Sequence, residues 1–344
     1  MHDLSDYSTS IPNYYLYFCP DFIIAYMTFL IPPVDKKLLL KELTPDKLLR
    51  PTNKANNHIY VVTAHEAPHV MDEIGRLREI SFRESGGGTG KDKDVDEFDL
   101  MEVPYRQLIV WNQETQEIMG GYRFLHGKDA LFDTKGQPIL VTSHMFHFSE
   151  KFIRNFLPKS IDVGRAFVQP AYQSSKMGAK SLFALDNLWD GLGAISISEK
   201  IDYLIGKVTI YPTFDSEARD MILYFMYRYF PDNDHLLALK EEDYRPIEKI
   251  AQYDDFFSEK TFEENYRKLN LAVRKRGVNI PALISAYIGL SPTMRTFGTG
   301  INREFSNLFD TGIMITVADI FEHKRRRHIE PYLQYLANLL RRPL

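Results

Sequence analysis

The chain has 344 residues, enough for a sizeable hydrophobic core in one elaborated α/β domain. Its 44% hydrophobic and 26% charged content excludes wholesale disorder and collagen-like or mucin-like composition. With 42 basic against 46 acidic residues it lacks the basic surplus of nucleic-acid binders, and its single cysteine, Cys19, makes neither an internal disulfide nor a cysteine-based zinc site. These features point to a reducing, cytoplasmic setting without a nucleic-acid partner.

The most apolar stretch, residues 14–31, is broken by Pro20 and Asp21, and a membrane-spanning helix needs about 20 uninterrupted apolar residues. The segment before it carries Asp3 and Asp6 and no Lys or Arg, which also disfavours a secretory signal. MTFLIPPVDKKLLLKEL reads as a natural soluble start, giving the hypothesis that translation begins at Met27 and that residues 1–26 are not translated. An N-terminal peptide containing Cys19 in the native protein would overturn it.

From about residue 57 strand-like and helix-like runs alternate, the pattern of a mixed α/β domain. HIYVVTA (58–64) predicts a strand, and Val70, Ile74, Leu77 and Ile80 fall at helical spacing behind it. RESGGGTGKDKDVDEFDL, rich in glycine and charge, predicts an exposed, flexible loop. YRQLIVWN and EIMGGYRFLHG flank NQETQ as an antiparallel pair. KSIDVGRAFVQP predicts a strand leading into the helix AYQSSKMGAKSLFALDNLWDGL; KIDYLIGKVTIYP predicts a further strand and SEARDMILYFMYRYF a further helix. Residues 231–261 look like an insertion, VNIPALISAYIGL a helix, FSNLFDTGIMITVAD a closing strand and HIEPYLQYLANLL a terminal helix. The expected division is an N-terminal extension over 1–56, one domain over 57–325 and a C-terminal helix over 326–344.

SGGGTGKD fails as a nucleotide-phosphate loop, because Ser85 and Asp92 occupy its two ends and acidic residues, not a helix, follow it. No H-E-x-x-H or Cys/His cluster predicts a metal, and no G-x-S-x-G predicts a serine nucleophile. No histidine is followed five positions later by Asp, so the pair used for lysolipid O-acylation is missing. More telling are five short elements in order: LREISF, DVDEFD, GGYRFL, IDVGRAFVQPAYQ and IPALISAYIGL. They place Arg78 and Phe82 on a helix, Asp96 and Asp99 in a loop, Arg123 on one strand and Asp162 with Arg165 on another. Charges in strands bordering a core are costly unless paired or used, so the set is either a salt-bridge network or a site.

In these elements the chain resembles the acyl-carrier-protein-dependent N-acyltransferases of the GNAT superfamily that begin ornithine-lipid and glycine-lipid synthesis, a group that includes hemolysin-like proteins. More distantly it is similar to acyl-homoserine-lactone synthases. The resemblance covers about residues 58–325 and implies a GNAT-like α/β fold: a mixed, largely antiparallel sheet with helices on both faces. It implies a (3-hydroxy)fatty acyl donor on the phosphopantetheine of an acyl carrier protein, no resident cofactor, and a small amino acid, glycine or ornithine, as acceptor. The matching site residues are Arg78, Phe82, Asp96, Asp99, Arg123, and Asp162 with Arg165, where Asp162 stands in place of the more usual Glu. The GNAT phosphate turn is kept only in part, by Gln173, Lys176 and Gly178.

Attack of an amine on a thioester needs an uncharged nitrogen and a donor for the developing oxyanion. On this reading Asp162 is the base, oriented by a bidentate pair with Arg165, and backbone N–H groups near Phe167 and Val168 are the oxyanion donors. Arg78 or Arg123 binds the acceptor carboxylate, while Asp96 and Asp99 meet its ammonium or order the loop. Arg274, Lys275 and Arg276, and Lys324 to Arg327, are candidate contacts for an acidic carrier protein or for anionic lipid at the membrane face. The alternatives are a coenzyme-A-dependent acetyltransferase acting on a soluble amine and a non-catalytic acyl-binding partner of another lipid acyltransferase.

Overall fold

The structure, a computed structural model, describes residues 30–173, 179–244, 247, 250–303 and 305–341. Cys19 and Met27 therefore lie outside the described residues. Ten strands are present among them: β1 (Leu48–Pro51), β2 (His58–Val62), β3 (Arg106–Asn112), β4 (Glu117–His126), β5 (Phe146–Phe148), β6 (Ser160–Val168), β7 (Tyr203–Ile210), β8 (Leu237–Leu239), β9 (Arg295–Asn302) and β10 (Leu308–Thr316). Eight form one sheet in the order β1–β2–β3–β4–β6–β7–β10–β9, antiparallel throughout except for β6 and β7. β5 and β8 make a separate two-stranded sheet.

Period-two alternation decides which side chains face which layer. On β3, Leu108 and Val110 pack toward helices α5 (Ala179–Ser198) and α6 (Ser216–Tyr229), while Ile109 and Trp111 pack toward α2 (Pro68–Glu84). Both faces of the sheet are thus covered, as the sequence led us to expect. Before β2 come α1 (Lys36–Glu42), which lies on α2, and β1, which forms the sheet edge. At the other end of the chain α10 (Glu322–His328) and α11 (Glu330–Leu340) pack on α5.

Two features position the site. The first lies in the strand pair β6–β7. Its parallel register runs from Ser160↔Tyr203 only to Val163↔Gly206, and a Cβ on Gly206 would lie 2.4 Å from the Val163 carbonyl oxygen. Beyond that close approach β7 continues beside β10 alone, so the edge of β6 from Gly164 to Val168 is open on the β7 side. Ala166 is accordingly exposed in the middle of a central strand.

The second feature is a β-bulge in the same open segment. Between the pairs Arg123↔Gly164 and Gly121↔Phe167, β6 holds Arg165 and Ala166 against the single residue Tyr122. Arg165 has φ +51°, a left-handed conformation that non-glycine residues adopt at a cost of order 1 kcal/mol. The extra residue shifts the alternation, so that Asp162, before the bulge, and Phe167, after it, both face the α2 side.

The glycine-rich segment differs from its expectation as an exposed, flexible loop. It folds back over α2, because the buried Glu79 carboxylate accepts hydrogen bonds from Thr89 N, Thr89 Oγ1 and Gly90 N at 2.8–2.9 Å and pairs with Arg83 at 2.7 Å. The turn that fails as a nucleotide loop thus wraps an internal carboxylate. Ser306 Oγ, donating to the Gly88 carbonyl at 2.8 Å, ties the turn to the β9–β10 connection. Asp94, further along the same loop, is buried.

Candidate active site

Arg78, Asp96, Asp99, Arg123 and Arg165 converge on the α2 side of the sheet, over the bulge. Asp96 and Asp99 are first a local device. Asp96 caps the short helix α3 (Glu97–Leu100) by accepting from Phe98 N at 3.1 Å, and Asp99 accepts from Asp96 N at 3.2 Å, a reciprocal capping box. The remaining oxygen capacity goes to arginines from three other elements. Arg123 of β4 reaches Asp96 at 2.5 Å and Asp99 at 3.2 Å, and Arg78 of α2 reaches Asp99 at 3.2 Å. Gln107 of β3 bridges them, accepting from Arg78 and donating to Asp99 at 2.9 Å.

Arg165 is not paired with Asp162. Its Nε lies 2.9 Å from Asp94 Oδ2, out of line for a hydrogen bond, its Nη2 lies 3.6 Å from Asp96, and its guanidinium stacks 4.1 Å over Phe305. The bulge explains the correction: with an extra residue in β6, Arg165 is carried toward the loop acids. Phe82 lies edge-on against the same Phe305 at 5.5 Å. Asp94, Gln107 and Phe305 are the members of this cluster that sequence reasoning missed. Asp94 sits just ahead of the two acids three apart, and Phe305 belongs to the β9–β10 connection.

Three arginines face three aspartates, so the cluster is neutral as a unit. Burial pushes the Asp96 carboxyl up, but Arg123, by charge and hydrogen bond, and then Arg165 and Arg78 outweigh it and hold the group down at about 2. For Asp94, burial prevails over Arg165, Arg78 and Arg123, and its proton affinity is raised. Arg123 gains more from Asp99 and Asp96 than burial removes, whereas for Arg78 burial prevails. Accessibility divides the set sharply. The side chains of Arg78, Asp94, Asp99 and Arg123 are at most 1% exposed, while those of Arg165 and Asp96 are 18% and 19% exposed. Arg165 and Asp96 are therefore the members that a substrate can touch.

Asp162 sits one step along β6 from this cluster and has a different set of partners. Its Oδ2 accepts from the Tyr105 hydroxyl at 2.6 Å and Thr142 N at 3.2 Å, and its Oδ1 accepts from Thr142 Oγ1 at 2.6 Å. Burial raises its proton affinity against these hydrogen bonds. The Tyr105 ring also lies 5.4 Å below the Arg123 guanidinium, which links Asp162 to the cluster through one aromatic ring. The carboxylate is 1% exposed with both oxygens engaged, and it ties β6 to Tyr105 and Thr142.

On the open stretch of β6, Gln169 N donates to the Met119 carbonyl on the β4 side at 2.9 Å. Strand alternation then turns the N–H and C=O of Val168 away from β4, into the cleft vacated by β7. The Val168 carbonyl accepts from the side chain of Gln173, which is exposed at the start of the turn leading to α5. Phe167 is buried beneath α2. Lys176 and Gly178 lie outside the described residues.

On the other face of the sheet, at the point where β6 and β7 part, a narrow recess of about 20 Å³ is lined by residues that include Val163, Leu192, Leu204, Ile313 and Ile315, with Tyr287 from α9 (Ala282–Ile288). Among the described residues no group of three or more His, Cys, Asp or Glu side chains is disposed to hold a metal ion. No helix among them is long and apolar enough to cross a membrane.

A largely antiparallel sheet parted at its one parallel pair, with an open strand edge at the parting, defines the GNAT class of acyltransferase. The family model described as an acetyltransferase (GNAT) domain matches residues 77–182, the stretch from α2 into α5. Two curated relatives match over nearly the whole chain. A glycine N(alpha)-acyltransferase of Bacteroides thetaiotaomicron is 52% identical over 323 residues, covering 92% of this chain and 94% of the relative. One of Phocaeicola vulgatus is 51% identical over 314 residues, covering 90% and 94%. The chain belongs to the family of these glycine N(alpha)-acyltransferases. Among solved structures it is similar to FeeM, an N-acyl amino acid synthase from uncultured soil microbes, at 10% identity and a TM-score of 0.34 over 76% of this chain and 94% of that one.

Proposed function

We propose that this enzyme transfers a long-chain fatty acyl group, 3-hydroxylated in its preferred form, from the phosphopantetheine of acyl carrier protein to the amine of glycine. The product opens the synthesis of an amino-acid lipid. The observation that carries this reading is the parting of β6 from β7 after Val163 and Gly206, which leaves a strand edge free for an extended thioester arm. That both relatives are glycine N(alpha)-acyltransferases supports glycine as the acceptor.

In the reaction the amine, after losing one proton, attacks the thioester carbon. The N–C bond forms, the carbonyl oxygen takes negative charge beside the Val168 N–H, and the C–S bond breaks as the oxyanion collapses. The second amine proton goes to the departing sulfur, so the products are an amide, a thiol and one released proton. No covalent enzyme intermediate is required.

Arg274 and Lys275, at the end of α8 (Phe262–Lys275), and Arg325 of α10 are exposed and support docking of an acidic carrier protein. The neighbouring cations are engaged within the chain: Arg276 with Asp215 and Glu217, Arg326 with Glu322, and Arg327 with Asp186. Leu333, Leu339 and Leu340 are exposed on α11 next to α10, which favours peripheral contact with anionic lipid.

The test is turnover of purified protein with 3-hydroxypalmitoyl carrier protein, the matching coenzyme A thioester and acetyl-coenzyme A, each with a panel of amino acids. N-acylglycine formed fastest from the carrier-bound chain is the expected product; preference for acetyl-coenzyme A or for a different amine contradicts the reading. In the same assay Asp162→Asn separates two roles. As a positioning group its loss costs about 1–3 kcal/mol of stability and leaves kcat within about tenfold. A fall in kcat of about 10²–10⁴-fold in folded enzyme identifies it instead as the base.

A further inference from the structure

The acceptor's carboxylate needs a cation, and the arginines expected to supply it are spent. Arg78 and Arg123 are sealed from solvent and committed to Asp99 and Asp96. Arg165 is the more accessible arginine, but it lies between Asp94 and Asp96, whose charges offset its own, and it stacks on Phe305. A different cation stands at the parting of the strands. Lys207 is the first β7 residue past the last β6 pair, Val163↔Gly206. Alternation places Leu204 and Val208 against α5 and α6, and so turns Ile205, Lys207 and Thr209 toward the face that carries Asp162 and Arg165.

The surroundings of Lys207 are built. Its Nζ lies 3.5 Å from Asp310 Oδ2 of β10, a separation that leaves most of its donor capacity unspent. Asp310 is itself fixed by Thr209 Oγ1 at 2.5 Å and Asn302 Nδ2 at 2.9 Å. The Lys207 charge also acts on Asp162 across the strand pair, favouring its ionised form. The side chain is 12% exposed, so a small molecule entering the cleft can reach it.

We propose that Lys207 receives the carboxylate of the amino-acid acceptor and that Asp310 is the positioning residue that holds it there. The carboxylate docks on the β7 wall of the cleft. The amine, one carbon away in glycine, then projects toward the opposite wall, where the Val168 N–H marks the thioester carbonyl. The inference rests on the N-acyltransferase reading above and adds the residue by which the acceptor is recognised.

The experiment compares glycine with glycinamide, which keeps the amine and lacks the carboxylate, as competing acceptors under a saturating acyl thioester. The wild type is expected to prefer glycine by at least tenfold in kcat/KM. Lys207→Met should raise KM for glycine at least tenfold, bring the preference close to one and leave KM for the acyl donor unchanged. Lys207→Arg should restore most of the preference, which a merely structural role would not predict. If Lys207→Met fails to fold, the near-isosteric Asp310→Asn supplies the reading, with a several-fold rise in KM for glycine at unchanged kcat. An active Lys207→Met enzyme that keeps the full preference for glycine, or an Asp310→Asn enzyme with unaltered KM, overturns the assignment. A wild type that acylates neither acceptor overturns the N-acyltransferase reading and this assignment with it.

Discussion

Replacing Arg123 with Met is expected to cost about 3–5 kcal/mol, the loss that follows when one partner is removed from a buried ion pair. Arg123 is a counterion of two carboxylates, Asp96 and Asp99, and Asp99 has no solvent exposure with which to compensate. Typical domains have only 5–15 kcal/mol of stability in total. The variant should therefore unfold at markedly lower denaturant than the wild type, read by circular dichroism. Arg326→Ala, which removes an exposed helix pair with Glu322, is expected to change stability by less than about 1 kcal/mol and serves as the control. Equal effects of the two substitutions would mean that the arginine–aspartate cluster is not what fixes the loop and β6 over α2.

Val168→Pro is expected to lower kcat by about 10²–10³-fold in enzyme that remains folded. Proline deletes the backbone N–H, and it also fixes φ at about −65° and replaces a Val side chain that packs on the core. That N–H points away from β4 into the cleft, so no rung of the β4–β6 ladder is lost with it. The neighbouring Gln169 N–H does bond β4, and Gln169→Pro should destabilise the strand instead. Steady-state kinetics and thermal unfolding of the two variants read the contrast directly. Full activity in a folded Val168→Pro enzyme would remove the oxyanion role from this position.

Much of this architecture was legible because periodicity and charge placement are local signals. The strand-like runs HIYVVTA, YRQLIVWN and EIMGGYRFLHG and the helical spacing of Val70, Ile74 and Leu77 pointed to the sheet and α2. Arg78, Asp96, Asp99 and Arg123 stood out because burying a charge demands a partner, and the structure pairs them with one another. What the sequence hid is tertiary. Nothing in IDVGRAFVQP marks the bulge that turns Arg165 from Asp162 to Asp94, since Gly164 rather than Arg165 looks like the residue with unusual backbone freedom. Glu79, which pins the glycine-rich turn, reads as one more helical acid until its partners are seen. β9 was missed because its glycines weaken the strand pattern. α8 was missed although Thr261 and Glu264 form a capping box that a closer reading would have found. Lys207 and Asp310 lie in strands that were recognised, but their meeting depends on β7 and β10 being neighbours.

The central claim is that the acyl thioester lies along the open edge of β6, with its carbonyl at Val168. Selective ¹⁵N-valine labelling, with titration of an acyl-pantetheine thioether that cannot transfer its chain, tests that claim at the atom concerned. The Val168 amide, identified by its absence in Val168→Pro, should shift strongly with the ligand, while valines on α2 and β2 stay in place. Saturable binding that leaves Val168 unmoved would put the thioester elsewhere and contradict the account.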